Sequence, residues 1–435
     1  MSKYEKSNEL LKKAIEIIPV AAQTYSKSFR YFIKGESPLF IERGDGAMVW
    51  DIDGNQFLDF VCALGPITIG YNNVEINQAI IQQLEKGIVF SQPSPIEYQL
   101  ARKLTQIIPG VEMVRFMKNG SDVTTAAIRL ARAYTGRDMI AVCGYHGMHD
   151  WYIGATPNSL GVPKVVSDLT QEFIYNDIKS LENLLKVQEK SFAAIILEPI
   201  QFDGPSGDFL KMVRDLAREH GAILIFDEVV SGFRYALGGA IELYGVIPDL
   251  VAMGKGVANG MPLSILAGKK DILELIETKK VFISTTFGGE CLSIAAALKT
   301  IEILEKPESY KHIWNLGRKL LDGLQKLIDL YDLNQVIKVY GLAPHGGVQF
   351  SDFGEISYLE SQSIYQKCLI ENGILTIGIN NISLSHTSED IDCFLKGAEV
   401  AMEEIKKYHQ GKISRLKDEN MINPIFKRNS RGDRK

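Results

Sequence analysis

The chain has 435 residues, 46% hydrophobic and 23% charged, which excludes a disordered or fibrous protein and gives enough length for two structural domains. Its 48 Lys and Arg stand against 53 Asp and Glu, a net charge of −5, so no global positive field draws it to nucleic acid or an anionic membrane, and small molecules or copies of itself are the expected partners. Cys62, Cys143, Cys291, Cys368 and Cys393 are scattered and never spaced as CxxC, which argues against a disulfide framework or a zinc ribbon and suits a reducing cytoplasm.

The first residues are charged and amphipathic, without the apolar core of a signal peptide, and no apolar run reaches the roughly 18 residues of a membrane-spanning helix. Residues 3–18 read as a helix with Leu10, Leu11, Ala14, Ile15 and Ile18 on its apolar side, stopped by Pro19. Residues 38–60 read as short strands turning at Gly44–Gly46 and Asp53–Asn55. The Asn119–Gly120–Ser121 turn opens a helix with Val123, Ala126, Ala127, Leu130 and Tyr134 on one face and Gly136 as its stop. From about 75 to 300, helical patterns alternate with the apolar runs Met139–Cys143, Ala193–Leu197, Ile223–Phe226, Leu250–Met253 and Ile265–Ala267, which predicts an α/β unit with a mostly parallel sheet covered on both faces. The region 310–409 mixes helices with short strands, and Thr387 opens a last helix with Asp390 as a short-armed capping box. Beyond Gly411 the chain is polar, and Lys427, Arg428, Arg431, Arg434 and Lys435 read as part of a solvated tail. The expected domains are therefore a large unit at 70–310, a smaller α+β unit joining 1–69 to 311–410, and a tail at 411–435.

Five segments carry chemistry. ILIFDEVVSGFR ends an apolar run in Asp227, an acid that needs a partner at the end of a buried strand. DLVAMGKGVANGMP ends the next run in Gly254–Lys255–Gly256, where flanking glycines leave room for a bulky adduct on the amine. The two lie 28 positions apart, enough for a strand–helix–strand crossover that brings both to one cleft. Gly120 and Ser121 open a helix whose free N–H groups suit either a simple cap or a bound phosphate. In GYHGMHD, Tyr145 follows a strand and can stack on a planar ring; His146 and His149 match no HExxH pattern and have no evident third ligand, so no metal site is expected. In STTFGGE, Thr285 and Thr286 precede a Gly–Gly turn and suit either phosphate binding or helix capping. Neither a Walker loop nor a dinucleotide fingerprint is present around Lys255, since Gly256 follows the lysine and Asn259 stands where Gly or Ala is needed.

Together PLFIERGDGAMVWDIDGNQFLDF, KNGSDVTTAAIRLARAYTGRD, YHG, ILEP, LIFDEVVSGFR, DLVAMGKGVANGMP, TTFGGE and SLSHTSEDID, in that order, resemble the class III (fold-type I) aminotransferases, most of all the glutamate-1-semialdehyde aminomutase branch, from about residue 20 to 408. The resemblance implies a fold-type I architecture with a seven-stranded, mostly parallel sheet, a pyridoxal 5′-phosphate (PLP) cofactor and a homodimer with shared sites. It implies that Lys255 holds the cofactor as a Schiff base and shuttles protons, that Asp227 pairs with the ring nitrogen, and that Tyr145 and Val229 cover the two ring faces. Gly120 and Ser121 would bind the phosphate, with Thr286 reaching the phosphate of the neighbouring subunit. Arg30, Glu198 and Glu290 would face the substrate. Asn119 and Ser121 stand where Ser and Thr are usual, Glu290 lies in a GGE turn where many members have Gly-Asn-Pro, Leu64 replaces a Trp of the aminomutase, and 151–166 is shorter than its gating loop. The implied reaction is ping-pong transfer of an amino group from an amino donor to an aldehyde or keto acceptor; the alternative is an intramolecular aminomutase, which needs no external donor. A scaffold without catalysis is a third reading, against which the Lys255–Asp227 pair counts.

Overall fold

The computed structural model describes residues 3–187, 190–278, 280–417 and 421–423 and divides them into two compact units, one spanning Val74–Tyr310 and one formed by residues up to Asn73 with those from Lys311 onward. The basic residues Lys427 to Lys435 of the expected tail lie outside the described residues.

The discontinuous unit begins with the helix Glu5–Ile17, which buries Ser7, Leu11 and Ala14 and ends just before Pro19. Leu10 and Ile15, expected on the apolar side, are exposed; the buried stripe instead runs through Ser7, whose hydroxyl donates to Asp53 Oδ2 at 2.6 Å. Strands β1 (Ile41–Asp45), β2 (Met48–Asp51) and β3 (Gln56–Asp59) form an antiparallel meander. Its second turn closes on Asp51, whose Oδ1 accepts the N–H groups of Asp53 and Asn55, while Gly54 takes φ +89°.

The Val74–Tyr310 unit holds a seven-stranded sheet. Its strands are β4 (Met113–Met117), β5 (Met139–Cys143), β6 (Thr170–Glu172), β7 (Phe192–Leu197), β8 (Ile223–Glu228), β9 (Leu250–Met253) and β10 (Ser264–Gly268), in the order β4-β10-β9-β8-β7-β5-β6. Only β10 is reversed, pairing antiparallel with both β4 and β9; β9, β8, β7, β5 and β6 are parallel. Every residue of β7, β8, β9 and β10 is buried, which is why these strands appear in the sequence as unbroken apolar runs. The two strands that periodicity does not announce are the two edges: β4 is interrupted by the exposed Arg115, and β6 is three residues of Thr-Gln-Glu. The helix Gly120–Thr135 crosses the sheet with Val123, Ala126, Ala127 and Leu130 buried and Gly136 in the left-handed cap. Tyr134, predicted on the buried face, is 46% exposed, because its hydroxyl donates to Asp271 Oδ2 at 2.7 Å at the helix end.

The chain then completes the first unit with β11 (Ile337–Leu342), β12 (His345–Phe350), β13 (Ile374–Leu375) and β14 (Ile379–Asn381). β13 adds parallel to β3, and β11-β12-β14 form a separate antiparallel sheet. The last helix, Ser388–His409, starts at a complete Thr387–Asp390 capping box and buries Phe394, Ala398, Ala401, Met402 and Ile405 against the core of this unit. Among the described residues no helix is long and apolar enough to cross a membrane.

Glu228, the last residue of β8, is fully buried and turns its carboxylate back on the chain that follows. It accepts from the Ser231 hydroxyl at 2.7 Å and from the N–H groups of Ala240 and Ile241 at 2.7 and 3.1 Å. Gly239 takes φ +70°, and a Cβ there would stand 2.3 Å from the carboxylate, so only glycine permits this closure. Burial pushes the Glu228 carboxyl from its ordinary 4.5 up to about 7, its three hydrogen bonds opposing the rise and the charge of Asp227 adding to it. The folded state therefore binds this proton more tightly than the unfolded chain. The stabilisation is full below the unfolded value and is lost as the pH climbs from 4.5 to about 7. Urea unfolding at several pH values across this window should show that Glu228→Gln flattens the decline in stability relative to wild type; parallel pH profiles for the two proteins would contradict the assignment.

Candidate active site

Four parallel strands end along one edge of the sheet in the Val74–Tyr310 unit. The register pairs Cys143 of β5 with Leu197 of β7, Leu197 with Phe226 of β8, and Asp227 and Glu228 of β8 with Ala252 and Met253 of β9. Gly144–Tyr145, Glu198, Asp227 and Gly254–Lys255 consequently emerge side by side at the carboxyl edge, where open α/β sheets place ligands. Lys255 is half-buried, opens the short 3-10 turn Lys255–Ala258 and holds φ +34°, a conformation that a side-chain-bearing residue adopts only where its surroundings enforce it.

Asp227 is 4% exposed, and each of its oxygens is held. Oδ1 accepts the Val229 N–H at 3.1 Å, and Oδ2 lies 2.8 Å from Nδ1 of the buried His146. His146 in turn is fixed by its ring neighbours, stacked 6.2 Å from Trp151 and edge-on to Tyr152 at 5.2 Å, while Thr124 Oγ1 donates to its carbonyl at 2.9 Å. Its Nε2 is buried with no hydrogen-bond partner among the described residues. Glu198 Oε2 accepts the Tyr145 N–H at 2.9 Å, and Tyr152 donates its hydroxyl to the Gly144 carbonyl at 2.7 Å, so the turn carrying Tyr145 is pinned from both sides.

The Asn119–Gly120–Ser121 turn meets the same edge. Gly120 and Ser121 begin a 16-residue helix, and their N–H groups have no acceptor within it. A Cβ on Gly120 would stand 2.9 Å from Val229 Cγ1, and one on Gly254 would stand 3.4 Å from the same atom, so Val229 packs between the turn and the lysine loop. Ser121 Oγ accepts the Met148 N–H at 3.1 Å, and a Cβ on Gly147 would stand 2.3 Å from it. Gly120, Ser121, Tyr145, Glu198, Asp227, Val229 and the Gly254–Lys255 loop thus belong to one contiguous network.

The remaining candidates make none of these contacts. Thr286 is exposed and does not cap the following helix, Cys291–Leu304; that cap is Glu290, whose carboxylate accepts from Leu292 N at 2.6 Å and Ser293 N at 3.2 Å. With Lys118 Nζ also 3.0 Å away, the Glu290 oxygens are already engaged within the protein. Arg30 belongs to the other unit, exposed in the turn Phe29–Tyr31, where its N–H is accepted by Ser28 Oγ. His149 pairs with Thr125 Oγ1 at 2.8 Å, so the two histidines of the motif serve separate partners. His146 is the residue that sequence reasoning weighed only as a metal ligand; its partner Asp227 is 81 positions away, and nothing local reveals the pairing.

A basic ring nitrogen suits Asp227, an amine-reactive carbon suits Lys255, and a phosphate suits the Gly120–Ser121 turn, a donor set that fits PLP. The chain matches the family described as aminotransferase class-III over residues 31–386. It is 36% identical over 417 residues to a 3-aminobutyryl-CoA aminotransferase of Cloacimonas acidaminovorans, spanning 93% of this chain and 98% of that protein. It is 34% identical over 368 residues to a glutamate-1-semialdehyde 2,1-aminomutase of Methanococcoides burtonii, spanning 81% and 86%. The solved FumI protein of Sphingopyxis sp. MTA144, in a PLP form, superposes with a TM-score of 0.84 at 28% identity over 93% of this chain and 98% of its own. The fold is thus that of the fold-type I transferases, and with a family match spanning most of its length the chain belongs to the class III aminotransferases, enzymes that depend on pyridoxal 5′-phosphate.

Proposed function

We propose that this protein transfers an amino group between two different small molecules, an amino donor and an aldehyde or keto acceptor, with Lys255 and Asp227 at the centre of the chemistry. The observation that carries the reading is the register of β8 and β9, which sets an acid and an amine at the ends of adjacent strands. Bound PLP supplies a carbon that condenses with amines and a ring that takes up electron density when its nitrogen is protonated. Asp227, oriented by Val229 N–H and His146, holds the proton on that nitrogen. The Lys255 amine, once neutral, would hold the cofactor at that carbon and would move the proton at the substrate Cα. Tyr145 would cover one ring face and Val229 the other, while Gly120 and Ser121 would bind the phosphate. Glu198 acts by holding the Tyr145 turn, and Arg30 remains the candidate for a substrate carboxylate.

The protein works as a cytoplasmic homodimer in this reading. The exposed Phe282 and Phe287 flank Thr286, an apolar setting that favours a covering partner, and a hydroxyl arriving from a second copy gives the phosphate dianion a further donor. The five cysteines, all free thiols, fit a reducing compartment. An external donor is favoured over internal transfer because Leu64 and the short 151–166 segment depart from the aminomutase pattern.

Given an amino donor alone, the holoenzyme should release a single burst of carbonyl product and then stop until an acceptor is added. Isomerisation of one compound with no second substrate would instead establish the aminomutase reaction. Lys255→Ala should abolish borohydride-trapped cofactor while the far-ultraviolet circular dichroism stays that of wild type; peptide mapping that finds the trapped group on another lysine would end the assignment. Sedimentation of wild type should show a dimer tightened by PLP, and Thr286→Ala should weaken PLP retention and loosen the dimer when cofactor is not in excess. A fully loaded, active monomer would rule out the shared site.

A further inference from the structure

Lys118 stands between β4 and the Asn119 cap, where the chain turns from the sheet into the Gly120–Ser121 turn. Its side chain is 18% exposed, and its ammonium uses all three donors, to Glu290 Oε2 at 3.0 Å, the Pro262 carbonyl at 3.0 Å and Ser293 Oγ at 3.3 Å. One charge therefore joins three segments: the start of the phosphate turn, the end of the loop that follows Lys255, and the helix that follows Thr286. Glu290 is 12% exposed and accepts, besides Lys118, from Leu292 N–H, Ser293 N–H and the Ser293 hydroxyl at 2.6 Å. Burial alone would raise its carboxyl, but Ser293, Lys118 and the Leu292 N–H outweigh it and hold the group below the usual carboxylate range, so Glu290 is charged at neutral pH.

The remainder of the 282–290 segment is docked on the same strand and helix. Arg129 Nη1 donates to the Phe282 carbonyl and Arg115 Nη2 to the Ile283 carbonyl, each at 2.8 Å, and a Cβ on Gly288 would stand 2.6 Å from the Phe116 carbonyl. Stability alone does not call for a charge here, since a buried ion pair is commonly no more stabilising than apolar side chains of the same volume. A proline at this position would leave Lys118 without a counter-charge. We infer that Lys118 and Glu290 are a positioning pair for the cofactor phosphate, holding the Gly120–Ser121 turn, the Lys255 loop and the Thr286 turn at fixed separation. The inference rests on the phosphate-binding roles proposed above for Gly120, Ser121 and Thr286.

The test is titration of the full-length, cofactor-free chain with PLP and, in parallel, with pyridoxal, which lacks the phosphate, together with phosphorus NMR of the bound cofactor. Lys118→Met should weaken PLP by about tenfold, the middle of the range for contacting polar groups. It should leave pyridoxal affinity unchanged and shift the phosphorus resonance. The double variant Lys118→Met/Glu290→Gln removes both charges together, keeps an acceptor at the helix cap and should match the single variant rather than add to it. Lys118→Arg should restore most of the PLP affinity. Ser121→Ala serves as the reference: if it weakens PLP selectively while the Lys118 and Glu290 variants do not, the pair is excluded and the phosphate assignment stands. Equal loss of PLP and pyridoxal in the pair variants would mark a general structural role and overturn the proposal. No selective loss with Ser121→Ala or the pair variants would overturn the phosphate assignment and the pair with it.

Discussion

Hydrogen bonding between β5, β7, β8 and β9 fixes where the chemistry can occur. Each strand is buried on both faces, so a slip of one residue would drive Asp227 into the hydrocarbon interior or bring an apolar neighbour to the edge. Once the ladder is set, Tyr145, Glu198, Asp227 and Lys255 fall at consecutive strand ends without further adjustment. The sheet thus acts as a ruler, and the loops beyond it need only be short.

Around that edge, polar groups are organised in pairs that orient one another. Asp227 is oriented by His146, whose ring is packed by Trp151 and Tyr152; Trp151 in turn donates its indole N–H to Thr125 Oγ1 at 2.8 Å. Tyr145 is oriented by Glu198 and Ser121 by Met148. Such supporting contacts remove rotamer freedom before a ligand arrives, so less ordering is left to oppose binding.

Much of this was legible in the chain itself. The five central strands announced themselves as apolar runs because both of their faces are covered, and the Gly120 helix by its small-residue turn and Gly136 stop. The edge strands β4 and β6 were not legible, since one carries an exposed arginine and the other is three polar residues; neither leaves a periodic trace. That Asp227 and Lys255 stand at the ends of neighbouring strands could be suspected from their spacing. His146 against Asp227 and Lys118 against Glu290 could not, because each contact joins residues far apart in sequence, and each residue taken singly resembles many others on a protein surface. Tyr134 failed for a different reason: an amphipathic stripe does not say where a tyrosine hydroxyl will find its acceptor.

The reversed strand β10 has a consequence for how the lysine is held. Because β10 runs against β9, its first residue, Ser264, lies at the edge where β9 ends, and Ser264 Oγ bonds the Asn119 carbonyl at 2.9 Å. The chain leaving β9 at Met253 therefore returns to the sheet beside its own exit, whereas a parallel return would need a crossover of about a dozen residues or more that carries it to the far edge. The segment bearing Lys255 is a closed loop anchored at both feet in neighbouring strands. Its reach is bounded by chain length as well as by packing, so an insertion between Gly256 and Pro262 would slacken a tether rather than lengthen a harmless surface loop.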